Sequence, residues 1–261
     1  MKCMRRINLA SACRYLRLSR VPSARVDAQW LLKRSPGEML RANLIRRGRE
    51  KEPLAYILGS TDFHGMHDFV VKAPVLIPRP ETEQLVQLVI EHVTRQPRLF
   101  IDMCCGSGAI AISLLRAWPH SIAVAVDCSE AACQLTRLNA DKFGVSNRLN
   151  IVQCSAETFN ISRVGPVDLL VSNPPYIPTD RIATLDRQIV DWEDHRALDG
   201  GSDGLDLVRR ILAKYSEIPE MWFELDCGQS KVLGEEQGGK QLQSYPDWFG
   251  CDDRFVRFIH S

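Results

Sequence analysis

The sequence predicts an α/β protein in which a mainly parallel sheet is covered by helices on both faces and preceded by a small helical module. Three observations carry this. From residue 81 onward short apolar runs alternate with amphipathic stretches at helical spacing, the pattern of strands joined by crossover helices. The first sixty residues show helical spacing only and carry a different charge from the rest. A glycine-rich turn lies directly between the first strand of the alternating part and its helix. At 261 residues, 45% hydrophobic and 25% charged, the chain has the length for one large domain plus a satellite and the composition of a globular protein, which excludes disorder, collagen and coiled coil. No stretch approaches the ~18 consecutive apolar residues of a membrane span, and no secretory signal pattern opens the chain.

Three segments follow: a helical domain over 1–60, a β-hairpin linker over 61–80, and the alternating α/β domain over 81–261. In the first, Leu9, Ala12, Cys13 and Leu16, then Val26, Trp30 and Leu31, recur at three- and four-residue steps, with breaks at Pro22 and Pro36-Gly37 and a close at Leu54 to Gly59. In the second, Phe69-Val70-Val71 and Val75-Leu76-Ile77 read as the two arms of the hairpin. In the third, Leu85, Leu88, Val89 and His92 mark a helix; Leu99 to Asp102 is a strand, Ala109 to Ala117 a helix ended by Pro119, and Ile122 to Val126 a strand. Ser129 caps a helix running to about Phe143, and strands follow at Leu149 to Val152, Val167 to Ser172 and Trp222 to Leu225.

Charge divides the chain. Residues 1–60 hold 14 Lys and Arg against four acids, a net of +10; the remainder holds 19 against 28, a net of −9. The basic front is either a solvated helical face or a surface for RNA or a ribonucleoprotein. The start is free of acids as far as Asp27, which fits an organelle transit peptide, and with it the mitochondrial matrix, as well as the first helix of a cytoplasmic protein. Nine cysteines, odd in number and without a Cys-x-x-Cys pair, argue against zinc or an oxidised framework and for buried thiols. His64 and His67, beside Asp62 and Asp68, match no ligand spacing and read as structural or surface residues. No metal site is expected.

Asp102-Met103-Cys104-Cys105-Gly106-Ser107-Gly108 falls at the carboxyl edge of the sheet, where ligands settle in open α/β folds and glycines allow the backbone to approach them. Asp127 ends the next strand, 21 residues beyond Gly106, where an acid can accept from both hydroxyls of a ribose. The G-x-G-x-x-G and G-x-x-x-x-G-K-[ST] spacings are absent, which disfavours NAD and ATP. Val167 to Ser172 leads into Asn173-Pro174-Pro175-Tyr176 at the same edge. An amide nitrogen is a poor nucleophile, and it carries two N–H donors. The Asn173 side-chain oxygen and the Pro174 carbonyl can each accept one of them and fix the nitrogen, while the Tyr176 ring stacks on the amide plane and excludes water.

The glycine loop resembles the first motif of class I S-adenosylmethionine-dependent methyltransferases. Pro78-Arg79-Pro80-Glu81-Thr82-Glu83, Asn173 to Ile177, Arg25-Val26-Asp27-Ala28-Gln29-Trp30-Leu31-Leu32, Ala197 to Leu205 and Asp253 to Val256 together resemble the HemK/PrmC family, the glutamine methyltransferases of peptide chain release factors, over nearly the whole chain. The resemblance implies a Rossmann-like, seven-stranded, mainly parallel sheet behind a helical substrate-recognition domain. It also implies methyl transfer from S-adenosylmethionine to the amide nitrogen, N5, of the glutamine in a release factor's Gly-Gly-Gln motif, by a monomer. On this sequence it assigns Asp102, Cys104, Cys105, Gly106, Ser107, Gly108, Asp127 and Asn173 to the cofactor. Asn173, Pro174 and Tyr176 are the catalytic assignments, and Asn173, Pro174, Pro175, Tyr176, Arg79 and Glu81 the substrate assignments. The chain departs from the family at Cys104-Cys105, where Gly and Thr are frequent, and at Ser155-Ala156-Glu157, where an aromatic can stand.

Two other readings compete. An adenine-N6 methyltransferase of DNA or RNA needs a basic groove to take a base out of its stack, and the net −9 of the catalytic part disfavours a direct nucleic-acid substrate. An inactive cofactor-binding scaffold is the other.

Overall fold

A computed structural model describes residues 7–236 and 241–259; Lys2, Arg5 and Arg6 of the basic front lie outside the described residues. Four helices open the chain: α1 (Leu9–Leu18), α2 (Ala24–Arg34), α3 (Glu38–Gly48) and α4 (Leu54–Leu58). Asn8 starts the first by accepting from Ser11 N–H, while the Ser11 hydroxyl reaches back to the Asn8 N–H. Ala12, Leu16, Ala28, Leu31 and Leu44 make this module's own core, so the basic segment from Arg14 to Arg25 is part of a packed bundle. Asp27 is buried against Arg47, which also donates to Gln188 and to the Glu52 carbonyl. The Arg-x-Asp-Ala-x-x-Leu-Leu element thus combines one charged anchor with two core contacts.

The hairpin is β1 (Ser60–Phe63) against β2 (Met66–Val70), turning at His64-Gly65. The expected second arm, Val75 to Ile77, is not a strand. Val75 and Ile77 are buried for another reason: Val75 packs beside Ala132 and Leu135, and Ile77 joins the core cluster that contains Phe100. The true first arm was hidden by the polar run Ser60-Thr61-Asp62.

The large domain follows as α5 (Pro80–His92), β3 (Leu99–Met103), α6 (Ala109–Ala117), β4 (Ile122–Asp127), α7 (Glu130–Lys142), β5 (Leu149–Gln153), β6 (Leu169–Ser172), α8 (Arg187–Val190), α9 (Asp206–Lys214), β7 (Glu220–Glu224), α10 (Gln229–Glu236), β8 (Gln241–Tyr245) and β9 (Phe255–Ile259). Seven strands form one sheet in the order β5-β4-β3-β6-β7-β9-β8, parallel except for β9. Its two faces bury separate clusters, one around Phe100, Leu114 and Trp222, the other around Ile101, Leu170 and Phe223, as period-two alternation on a doubly covered sheet requires. The chain goes from β3 to β4 on one side and later places β6 on the other, so the order reverses at β3. Ligands gather at the carboxyl ends beside such a reversal.

One cysteine expectation is corrected. Cys227 and Cys251 form a disulfide, because the antiparallel return of β9 along β7 brings residues 24 apart in sequence to a Cα separation of 5.7 Å. Cys13, Cys104, Cys105, Cys128, Cys133 and Cys154 are free thiols.

Removing one partner of a buried ion pair leaves the other charge uncompensated. Asp27→Ala is expected to lower stability by about 3–5 kcal/mol, measured by denaturant unfolding with the helical module's own signal at Trp30.

Candidate active site

Four neighbouring strands present their carboxyl ends to one cavity of about 690 Å³. β3 leads into the glycine loop, β4 ends in Asp127, and β6 leads into Asn173; β7 ends in Glu224, directly behind the lining. Cys104, Cys105, Gly106, Ser107, Asp127, Asn173, Pro175, Tyr176 and Arg79 all line this cavity. The exposed residues Thr179, His195 and Asp199 stand at its rim and mark the mouth.

Backbone geometry shapes the loop. Gly106 has φ of 54° and Gly108 of 82°, conformations that side chains disfavour. At Gly108 a Cβ would also come within 2.8 Å of Thr136 Cγ2, whereas at Gly106 it would meet nothing within 4 Å. Gly108 is therefore required for packing at the start of α6, and Gly106 faces open space. Cys104 adopts φ of 64°, which explains why glycine suits that place. From α7, Thr136 donates to the Gly106 carbonyl, and Asn139 donates to the Ser107 and Val70 carbonyls while accepting from Val70 N–H. These two polar side chains, three residues apart on an otherwise apolar face, tie loop, helix and hairpin together. Burial pushes the Cys104 and Cys105 thiols up, with Asp127 adding to it.

Asp127 accepts from Gly106 N–H at 2.9 Å through one carboxylate oxygen and from Ser129 N–H at 2.8 Å through the other. Each oxygen has a second lone pair to offer, and the residue lines the cavity, so it suits a pair of ribose hydroxyls. Asp102 is corrected from the reading that placed it against the cofactor. It is fully buried and off the cavity lining. One of its oxygens accepts from Ala111 N–H at 2.9 Å, pinning the first turn of α6; the other has no partner among the described residues. Burial pushes its carboxyl up to about 8.

On the acceptor side, Thr82 at the start of α5 donates to Glu224 at 2.8 Å and receives the Asn173 side-chain N–H at 3.0 Å; the Tyr176 hydroxyl donates to the other Glu224 oxygen at 3.0 Å. Arg254 lies over the Tyr176 ring, 5.8 Å from its centroid. The segment Ala197 to Leu205 braces the turn from outside: Ile177 N–H donates to the Leu198 carbonyl and Gly200 N–H to that of Ile177. Gln229 donates to the carbonyls of Tyr176 and Asp203. At Gly204 a Cβ would lie 2.1 Å from the Tyr176 carbonyl oxygen. Its neighbourhood was legible as a motif, its reason was not.

Two substrate assignments change. Glu81 does not line the cavity; the next residue, Thr82, does. The helix N1 position falls on Pro80, and Thr82, two residues on in the same first turn, meets the Asn173 side-chain N–H. Arg79 lines the cavity but its guanidinium is held by both oxygens of the buried Glu193, at 2.6 and 2.7 Å. Pro174 is buried and off the lining, unlike its neighbours Asn173 and Pro175. Ser155, Ala156 and Glu157 line the cavity, as do Val75, Leu76 and Pro78 from the linker. Glu224, Glu193, Thr136 and Asn139 escaped the sequence reading, and Thr82 entered it as part of a motif without a role in the site; a polar residue inside an apolar strand, as in Met221-Trp222-Phe223-Glu224-Leu225, is the signal that would have found the first. Among the described residues one group of three possible metal ligands gathers, Cys227, Cys251 and Asp253, away from the cavity and with both sulfurs in the disulfide.

The residues fit a nucleoside-bearing cofactor. Open space faces Gly106, carboxylate lone pairs stand beside it, and the cavity falls within the size range of small-molecule sites. A parallel sheet carrying such a loop at its reversal, with a carboxylate on the next strand, is the architecture of the class I S-adenosylmethionine-dependent methyltransferases, and the chain is one of them. Residues 80–212 match the profile of the Methyltransferase small domain. The chain is 41% identical over 221 residues to the MTRF1L release factor glutamine methyltransferase of Homo sapiens, covering 79% of this chain and 64% of that one. It is 38% identical over 246 residues to the release factor glutamine methyltransferase of Geobacter sulfurreducens, covering 84% of each. This chain belongs to the release factor glutamine methyltransferase family. It spans slightly under two thirds of the human relative's length and 66% of that from Thermosynechococcus vestitus. Among solved structures, the human Mettl16 catalytic domain in complex with a MAT2A 3'UTR hairpin shares the fold, with a TM-score of 0.58 at 14% identity over 96% of this chain and 91% of that one.

The raised carboxyl of Asp102 means that the folded protein holds a proton the unfolded chain releases, so this group's stabilising contribution is present at low pH and lost as pH rises through about 8. The melting temperature of the cofactor-free protein is expected to fall between about pH 4 and pH 8, and Asp102→Asn to flatten that fall.

Proposed function

We propose that this chain transfers a methyl group from S-adenosylmethionine to the side-chain amide nitrogen, N5, of the glutamine in the Gly-Gly-Gln motif of a peptide chain release factor. The observation that carries the reading is at Asn173. Its N–H is spent on Thr82, its side-chain oxygen has no partner among the described residues, and it lines the same cavity as the glycine loop. An acceptor so placed suits an amide that approaches with two N–H groups.

Bound S-adenosylmethionine supplies a methyl carbon already activated by its sulfonium. The protein's own work is positional. Asp127 and the backbone of Cys104 to Gly108 hold the nucleoside, with Asp102 supporting the loop from beneath. The Asn173 oxygen and the Pro174 carbonyl each accept one amide proton and orient the nitrogen. Tyr176, tied to Glu224 and covered by Arg254, offers a fixed ring for the amide plane, and Pro175 closes the floor. The new N–C bond forms as the methyl carbon's bond to sulfur breaks, and one of the two N–H protons is then lost to solvent.

Residues 1–60 would recognise the release factor, with 61–80 joining them to the catalytic part, 81–261. The front helices are tied to the segment that follows Tyr176 through Arg47 with Gln188 and through Trp192 with the Glu50 carbonyl. The protein acts as a monomer, in the cytoplasm or the mitochondrial matrix. No helix among the described residues is long and apolar enough to cross a membrane.

Incubation with methyl-labelled S-adenosylmethionine and a release factor is expected to add one methyl group to the Gly-Gly-Gln glutamine, located by fragmentation mass spectrometry. Asn173→Ala is expected to cut the rate by about 100-fold or more, a loss typical of a mispositioned reacting group, with cofactor affinity kept. Equal labelling of a release factor whose tip glutamine is alanine, or methylated adenine in an oligonucleotide instead, would refute the proposal.

A further inference from the structure

The reaction as proposed needs Asn173 to face its substrate with oxygen rather than nitrogen, yet an asparagine amide is nearly symmetric in shape and turns over at little steric cost. Something must choose. Thr82 stands between Asn173 and Glu224, 3.0 Å from the amide nitrogen of the first and 2.8 Å from a carboxylate oxygen of the second. A hydroxyl has one proton to give. A carboxylate only accepts, so the Thr82 proton goes to Glu224, and the hydroxyl's remaining lone pairs can satisfy Asn173 only if it presents its N–H. The other Glu224 oxygen accepts from Tyr176 in the same manner. The Glu224 side chain is thus out of solvent and engaged at both oxygens, by groups on two different elements.

We propose that Glu224 is the positioning residue that sets the hydrogen-bond polarity of the active site: through Thr82 it turns the Asn173 oxygen toward the substrate, so that the site accepts a glutamine amide and rejects a glutamate carboxylate. This inference rests on the glutamine-methylating reading given above. Discrimination of this kind is strong because the wrong group brings a lone pair against a lone pair, and one member of each mismatched set stays unpaired. Glu224 touches no substrate and acts through Thr82 and Tyr176.

Charge at Glu224 therefore matters. The titratable and charged groups that face it are Tyr176 from the turn after β6, Arg254 from the lead into β9 and Glu81 from the start of α5. Burial pushes its carboxyl up to about 7. Below that pH it gains a proton and can itself donate to Thr82, which frees the Thr82 proton for the Asn173 oxygen and permits the amide to invert. Orientation is fixed above the transition and loosened as pH falls through it.

The test has two arms, both on the full chain with S-adenosylhomocysteine or S-adenosylmethionine bound. In the first, the Asn173 side-chain NH2 resonance, assigned by its loss in Asn173→Asp, is followed by 15N NMR. It is expected to be that of a hydrogen-bonded donor above about pH 7, to lose that signature as Glu224 protonates, and to lack it at every pH in Glu224→Gln, whose own NH2 can feed Thr82. In the second, turnover on a release factor is expected to fall about 100-fold in Glu224→Gln, through kcat rather than KM, as for a reacting group misplaced by a small distance. Thr82→Val should fall similarly, with recovery in Thr82→Ser, which keeps the hydroxyl, and with cofactor affinity kept throughout. An Asn173 resonance indifferent to both pH and Glu224→Gln overturns the proposal whether or not a release factor is methylated. A wild-type protein that methylates no glutamine but shows the expected resonance behaviour overturns the functional reading alone.

Discussion

A carboxylate sealed from water at the end of β7 is the constraint around which the acceptor half of the active site is arranged. Glu224 is fully buried and engaged at both oxygens by hydroxyls from the start of α5 and the turn after β6. Burying an acid is costly unless hydrogen bonds compensate it, so the three elements are held in one relative position by the need to satisfy it. The Asn173 amide, too small to fix its own direction, inherits that order through Thr82. Outside this cluster the brace from Ala197 to Leu205 and the side chain of Gln229 restrain the backbone of the same turn.

The cofactor half is ordered by a different means. There the backbone does most of the shaping: left-handed residues at Cys104, Gly106 and Gly108, a carboxylate at Asp127 that gathers two N–H groups from separate loops, and polar side chains of α7 on the carbonyls behind. The two halves meet at adjacent strands, where the Ser172 hydroxyl donates to the Met103 carbonyl at 2.6 Å. Donor and acceptor groups are thereby separated by one strand spacing, set by the sheet and not by any loop.

Much of this was legible in the sequence. Alternation of apolar runs and amphipathic stretches placed α5 to α7 and β3 to β6 closely, with Ala109–Ala117 matching residue for residue, because buried parallel strands and their crossover helices impose strong periodicities. The glycine loop, Asp127 and Asn173 to Tyr176 were readable because each follows a strand at the ligand edge. What escaped depends on long-range contact. Thr82 and Glu224 are 142 residues apart, and nothing local distinguishes their hydroxyl and carboxyl from solvated ones until the sheet closes. The first hairpin arm was masked by polar residues, the Cys227–Cys251 pairing by the separation of its partners in sequence, and the inward position of Asp102 by its resemblance to a ligand-facing acid. Membership of the release factor glutamine methyltransferase family, suggested by motifs spread along the chain, stands on identity over most of its length.

The most direct measurement is the structure of the protein with S-adenosylhomocysteine and a peptide containing Gly-Gly-Gln. The account predicts the glutamine amide nitrogen within hydrogen-bond distance, about 3 Å, of the Asn173 side-chain oxygen, with the amide plane against the Tyr176 ring. A glutamine turned so that its carbonyl meets the Asn173 nitrogen, or a peptide bound outside the cavity between the glycine loop and Asn173, would contradict it.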